Sequence, residues 1–363
     1  MSLSSLQRTE GAGEGATEQI GRIYLVPAVI GAFALLTMCV VALAYGLPIR
    51  DPDARYVGSP IALIMLIALV ALLLDVIPRG FRLSRAEGVG FWTGCGRVMK
   101  QRWLGRRGGI VLLCLVSFYA TYLSYRNLKS FIPFITDANF DIDLLNFERW
   151  LFFGNDPAVL LHDILGVDFA AQALSGVYLI FLTFVPVSLA VALIWSNKLQ
   201  TGVWYVTALS INWVLGAASY YLLPAMGPIY ERPGMFAALP ETGVTGLQDK
   251  LLAHRAEVLR DPSGTDAVQS IAAFASLHTS VVFTAAMIAT LAGAPRLLRL
   301  GLWVYLGLTM ISTVYFGWHY VVDDVAGLGI GFVAVFASAR LTGFEWNIVP
   351  RLRALAQGSA NAT

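Results

Sequence analysis

Two short stretches, "FASLHTSVVF" around His278 and "YFGWHYVVDD" around His319, hold the residues best suited to chemistry in a chain of 363 residues. An imidazole with a carboxylate on one ring nitrogen keeps a fixed tautomer and leaves the other nitrogen basic or nucleophilic. His319 and Asp323 stand four apart, a spacing that puts both on one face of a helix. His278 lies among Ser276, Thr279 and Ser280 at an expected helix start, where free backbone N–H groups and the helix dipole favour an anion such as phosphate. A nucleophilic imidazole, an orienting carboxylate, a second imidazole as general acid and backbone donors for the equatorial oxygens are the ingredients of phosphoryl transfer. Taken singly, an interfacial histidine is more often structural, and an aspartate at a helix start is commonly a cap. Ionisable residues gathered at one depth of a membrane mark function. His162 and His254 fall in polar outer segments without such a setting.

The chain that must position these groups is 57% hydrophobic and 13% charged, with a mean hydropathy of +0.68. That balance is the signature of an integral membrane protein. A spanning helix needs about 20 mostly apolar residues. Eight stretches qualify, roughly 23–46, 58–78, 108–125, 172–195, 203–223, 270–292, 301–318 and 325–341, and they predict an all-α polytopic protein. The polar start, 1–22, reads as a tail, so the first span serves as the insertion signal. With that tail inside, 16 of 25 basic residues fall in inner segments and 17 of 23 acidic ones outside. The positive-inside rule therefore places both termini in the cytoplasm. Both histidines then face outward, towards the periplasm if the membrane is a bacterial inner membrane; a Golgi lumen has the same topology.

The basic loop between Arg79 and Arg107, with Phe and Trp interleaved, suits anionic headgroups of the inner leaflet, and no nucleic-acid partner is expected. Cys39, Cys95 and Cys114 lack C-x-x-C spacing and read as packing residues. Two outer segments run from Arg126 to about Ala171 and from Pro224 to about Gln269. The first mixes aromatics and carboxylates at near-helical spacing, as an amphipathic helix on the outer leaflet would, and is a candidate lid.

The two histidine segments resemble the second and third motifs of the type 2 phosphatidic acid phosphatase superfamily. Ser276, Leu277 and His278 fill its Ser-x-His, while His319, Asp323 and Gly327 fill the His, Asp and Gly of the third, whose serine falls at Ser312. Ala275, Leu277 and Thr313 replace the proline, glycine and arginine of those motifs. These departures are similar to the branch of inositol phosphorylceramide synthases and their bacterial relatives. In the first motif Arg232 and Pro233 fill Arg-Pro, but Ala225 stands at the lysine position; Arg126 and Lys129 are alternative cations at the outer end of the third span.

The resemblance implies a six-helix catalytic core over 108–341, preceded by a tail (1–22) and two extra spans with the basic loop (23–107), and followed by a second tail (342–363). It further implies ping-pong phosphotransfer without metal or cofactor. His319 attacks phosphorus with Asp323 behind it, His278 protonates the leaving oxygen, and a phosphohistidine passes its group on. Ser276, Thr279, Arg232, Asp324, Arg126 and Lys129 are the expected substrate-binding residues. The donor is a phospholipid or polyprenyl phosphate, and the acceptor a lipid or polyol alcohol. A phosphatase using the same residues is the nearest alternative. A transporter would show paired repeats and interrupted helices, which the sequence lacks, and a metal held by His278, His319 and Asp323 would show as chelator sensitivity.

Overall fold

The computed structural model describes residues 23–51, 60–195 and 199–344, so the expected tails lie almost wholly outside the described residues. Every regular element among these residues is helical. The α-helices of eight residues or more are, in chain order, α1 (Val26–Tyr45), α2 (Pro60–Glu87), α3 (Phe91–Val98), α4 (Arg106–Ile135), α5 (Asp141–Leu151), α6 (Pro157–Leu165), α7 (Phe169–Ala190), α8 (Leu199–Leu222), α9 (Gly243–Arg260), α10 (Leu277–Leu291), α11 (Arg296–Tyr315) and α12 (Val321–Leu341). The eight expected spans correspond to α1, α2, α4, α7, α8, α10, α11 and α12. Five of these are long and apolar enough to cross a membrane: α1, α4, α7 with its π-helical extension to Ile194, α11 and α12. The chain is an all-α polytopic membrane protein.

Helix α8 occupies the middle of the bundle, packed against α1, α4, α10 and α12. Its burial on most faces explains why it tolerates Thr207, Ser210, Asn212 and Ser219, which a lipid-facing helix would expose to hydrocarbon. Trp204 of α8 ties it to α12, its indole N–H donating to the Val335 carbonyl at 3.0 Å. Helix α10 is short at 15 residues and is sheltered by α8, α11 and α12. Helix α1 lies along α4, while α2 pairs with α3 and touches α7.

Three of the boundaries that differ from the sequence reading bear on the histidine segments, each for a local reason. Helix α4 runs ten residues past its expected end, because Arg126 and Lys129 lie over the rings of Tyr122 and Tyr220, at 5.7 and 4.6 Å, and need not mark the end of the span. Helix α10 begins at Leu277, not 270, since Ser276 caps it, its Oγ accepting the Thr279 N–H at 3.4 Å. Helix α12 begins at Val321, which draws Asp323 and Asp324 into its first turn.

The starts of α10 and α12 are joined directly: the Ser276 N–H donates to the Asp323 carbonyl at 3.0 Å. So close a crossing requires a glycine. At Gly327 a Cβ would come within 2.3 Å of the Ser276 carbonyl oxygen, whereas at Gly329, on another face of α12, it would meet nothing within 4 Å. Gly327→Ala should therefore destabilise the protein by about 2 kcal/mol through overpacking, and Gly329→Ala should leave it unchanged or slightly firmer. Thermal unfolding of both variants in detergent tests the pair; equal melting temperatures would mean that the crossing is not tight.

Candidate functional site

Residues Phe316–Tyr320 link α11 to α12 and carry His319. The turn that opens α12 is organised by Asp323, whose Oδ2 accepts the Tyr320 N–H at 2.9 Å and lies 3.4 Å from His319 Nδ1. His319 thus stands outside the helix and meets Asp323 across its cap, not along a shared helical face as the four-residue spacing implied. The contact itself is the expected one: a carboxylate faces Nδ1, and Nε2 points away from it. That Nε2 is 3.3 Å from Nδ1 of His278, in the first turn of α10, so the two imidazoles meet face to edge.

An aromatic wall holds this pair. The His278 ring lies 4.9 Å from Tyr178 and 4.4 Å from Phe181, both on α7, and Tyr178 stacks on Trp318 at 5.3 Å with the planes 4° apart. Buried beside them, Asp324 accepts the Thr279 hydroxyl on Oδ1 at 2.5 Å and the Thr313 hydroxyl on Oδ2 at 3.1 Å. Ser276, Thr279 and Asp324, expected to touch substrate, are therefore bonded to one another and to Thr313 as the frame around the histidines. Thr313, which stands where the family pattern has arginine, is part of that frame.

The cations divide. Lys129 of α4 is half-buried over Tyr220 and close enough to act electrostatically on His319. Arg126, one turn earlier, donates to the Tyr122 hydroxyl at 2.7 Å and to Ser270 Oγ at 2.9 Å. Arg232 sits on an exposed turn, and its side chain shares no hydrogen bond or ion pair with the histidine cluster among the described residues. The structure brings together His278, His319, Asp323, Asp324, Ser276 and Thr279, with Lys129 nearby and Arg232 apart. No group of three or more His, Cys, Asp or Glu side chains with metal-binding geometry occurs among the described residues.

Sequence reasoning missed the acids of α5. Asp141 and Glu148 are both buried, on one helical face with Leu144 and Leu145, while Ile142, Phe147, Trp150 and Phe153 are exposed. The expected amphipathic helix is present with two of its three acids turned inward, Asp143 staying exposed, and its aromatics outward. The seven-residue spacing of the two acids was the available signal. Glu148 accepts the N–H of Val321. Burial pushes its carboxyl up to about 8, against the pull of that N–H and with Asp323 adding repulsion. Its contribution to stability is therefore full below its ordinary value and is lost as pH rises towards 8. His162 also has a structural role, its Nε2 lying 2.8 Å from the Tyr315 carbonyl at the end of α11.

Burial holds His319 down at about 4, Asp324 opposing and Lys129 assisting. The folded state therefore prefers the neutral imidazole, and the stability this contributes is complete above the ordinary histidine value and lost as pH falls towards 4.

A family model described as the PAP2 superfamily matches residues 142–337, more than half of the chain and inclusive of His278, His319 and Asp323. No curated protein and no solved structure matches.

Histidine-selective ¹⁵N NMR of the protein in nanodiscs, with His319→Gln for assignment, should find His319 neutral at pH 5.5, where an exposed histidine is mostly charged. A charged signal at that pH would show that the ring is not enclosed.

Proposed function

The chain belongs to the PAP2 superfamily, whose members are membrane-embedded phosphatases or phosphotransferases of lipid phosphates, and on that premise we propose that it transfers a phosphoryl headgroup between lipids. The observation that carries this reading is a relay of three side chains: Asp323 Oδ2 lies 3.4 Å from His319 Nδ1, and His319 Nε2 lies 3.3 Å from His278 Nδ1.

His319 Nε2 attacks the phosphorus of a phospholipid or polyprenyl phosphate. The bond from phosphorus to the lipid alcohol breaks, and His278 delivers its proton to that leaving oxygen. Asp323 stabilises the positive charge that develops on the phosphohistidine ring. In the second half, His278 takes the proton of an acceptor hydroxyl, the new P–O bond forms and the P–N bond breaks, which returns His319 to its starting state. Lys129 and the N-terminal ends of α10 and α12 supply positive potential for the phosphoryl oxygens.

Transfer to an alcohol in preference to water is supported by enclosure. His319 is only 4% exposed, and a dry site protects a phosphohistidine from hydrolysis. The inositol phosphorylceramide synthase-like character rests on Leu277 and Thr313. Leu277 seats over Gly216 of α8, where a Cβ would come within 2.5 Å of it, and Thr313 is bound to Asp324. In this reading the core spans 108–341, and α1 and α2 brace it from α4 and α7. Both termini are cytoplasmic, with the site at the periplasmic face of a bacterial inner membrane, as the basic residues from Arg79 to Arg107 support.

The reaction can be followed in nanodiscs of mixed phospholipids, with and without ceramide, diacylglycerol or inositol. We expect a new phosphorylated product only when an acceptor is present and little free phosphate, abolished in His319→Ala and reduced about 10²- to 10⁴-fold in His278→Ala. Free phosphate formed regardless of acceptor would identify a phosphatase. Undiminished turnover in His319→Ala would remove the site assignment.

A further inference from the structure

Asp141 is a fully buried carboxylate that the reaction scheme above leaves unused. Its Oδ2 accepts the Met226 N–H at 2.7 Å, and its Oδ1 accepts both the Gly227 N–H at 2.8 Å and the Tyr320 hydroxyl at 3.1 Å. Its own carbonyl accepts the same hydroxyl, also at 3.1 Å. Placing an anion where water cannot reach is costly, and backbone and hydroxyl donors of this number are what make it tolerable. Arg255 of α9 is a cationic neighbour.

What these bonds join is informative. The loop at Gly227 lies on the peptide just before the nucleophile: with φ at +107°, a Cβ there would come within 2.7 Å of the Trp318 carbonyl, and the Ile229 N–H donates to Gly317 at 3.0 Å. Tyr320 follows His319 directly, and its N–H donates to the same Asp323 oxygen that faces His319 Nδ1. Two turns along α5, Glu148 binds the N–H of Val321. One helix therefore grips the chain on both sides of His319 and through two successive residues after it.

We propose that Asp141 is a positioning residue of the phosphotransfer centre, fixing through Tyr320 the angle at which Asp323 meets His319. This rests on the assignment of His319 as nucleophile. Displacement of a reacting group by an ångström or less is enough to cost orders of magnitude in rate. A merely structural tie would cost stability instead.

Tyr320→Phe removes only the hydroxyl and separates the two roles; Asp141→Asn turns one acceptor into a donor that faces a backbone N–H, that of Met226 or of Gly227. Steady-state kinetics in nanodiscs with an acceptor present should show KM within about twofold of the parent for Tyr320→Phe, with kcat lower by about tenfold. Asp141→Asn should lose about 10²-fold, and the double variant no more than Asp141→Asn alone, as coupled residues require.

The pH profile supplies a readout that a structural role would not move. The charged or titratable groups close to His319 are His278 from α10, Asp323 and Asp324 from α12 and Lys129 from α4, while Asp141 and Glu148 of α5 are held to residues 320 and 321; Tyr320→Phe removes none of these groups, and its one direct effect on an acid is the hydrogen bond lost from Asp141. A shift of the acid limb upwards, towards the ordinary histidine range, in Tyr320→Phe would thus report His319 loosened towards water. Unchanged kcat and pH profile in Tyr320→Phe, with only a lower melting temperature, would overturn the proposal, and this variant decides the matter alone if Asp141→Asn does not fold. An inactive His319→Ala beside a fully active Tyr320→Phe sinks only this inference; an active His319→Ala sinks the reading beneath it.

Discussion

A single backbone hydrogen bond, from the Ser276 N–H to the Asp323 carbonyl, fixes the geometry on which the site depends. It joins the first turns of two helices, and each such turn carries N–H groups with no partner within its own helix. Where the surroundings exclude water, those groups must be satisfied or used. Ser276 Oγ takes one on α10, and Asp323 Oδ2 takes the Tyr320 N–H at the head of α12. The same arrangement brings two positive helix ends to one point, which suits a phosphorylated substrate better than any single side chain nearby.

Around that junction the interior is polar and mostly paired, Asp323 Oδ1 being a buried acceptor without a hydrogen-bond partner among the described residues. Thr279, Asp324 and Thr313 form one connected group, and Asn212 of α8 bridges Ser280 and Thr284 of α10 deeper in the bundle. Ser312 donates to the Leu174 carbonyl of α7 at 2.9 Å. These contacts link five helices through hydrogen bonds whose loss would leave buried groups unsatisfied, so the histidines are set in a frame that resists small displacement.

Much of this was legible in the sequence because apolar runs and ionisable residues at their edges are local signals. His278 and His319 were found from their settings, and their meeting followed from a topology that put both at one face of the membrane. Other features escaped because they are fixed by partners distant in sequence. Nothing in "YRNLKSF" announces that the Lys129 ammonium lies over Tyr220, which is why α4 was read as ending ten residues early. The spacing of His319 and Asp323 was right about contact and wrong about its form, since a cap and a helical turn both bring such residues together. In "DIDLLNFERW" the acids looked like the wet side of an interfacial helix; only the neighbouring loops, with N–H groups at Met226, Gly227 and Val321 to satisfy, turn them inward.

Asp323 Oδ2 serves at once as the cap of the last helix and as the partner of His319, the nucleophile of the proposed reaction. The two duties answer to different selective pressures. A descendant that had given up the reaction would be free to vary His319, yet its last helix would still hold position 323 to aspartate. Among relatives of this chain, the acid alone is therefore a record of inherited architecture, and only its company with both histidines is a record of retained chemistry.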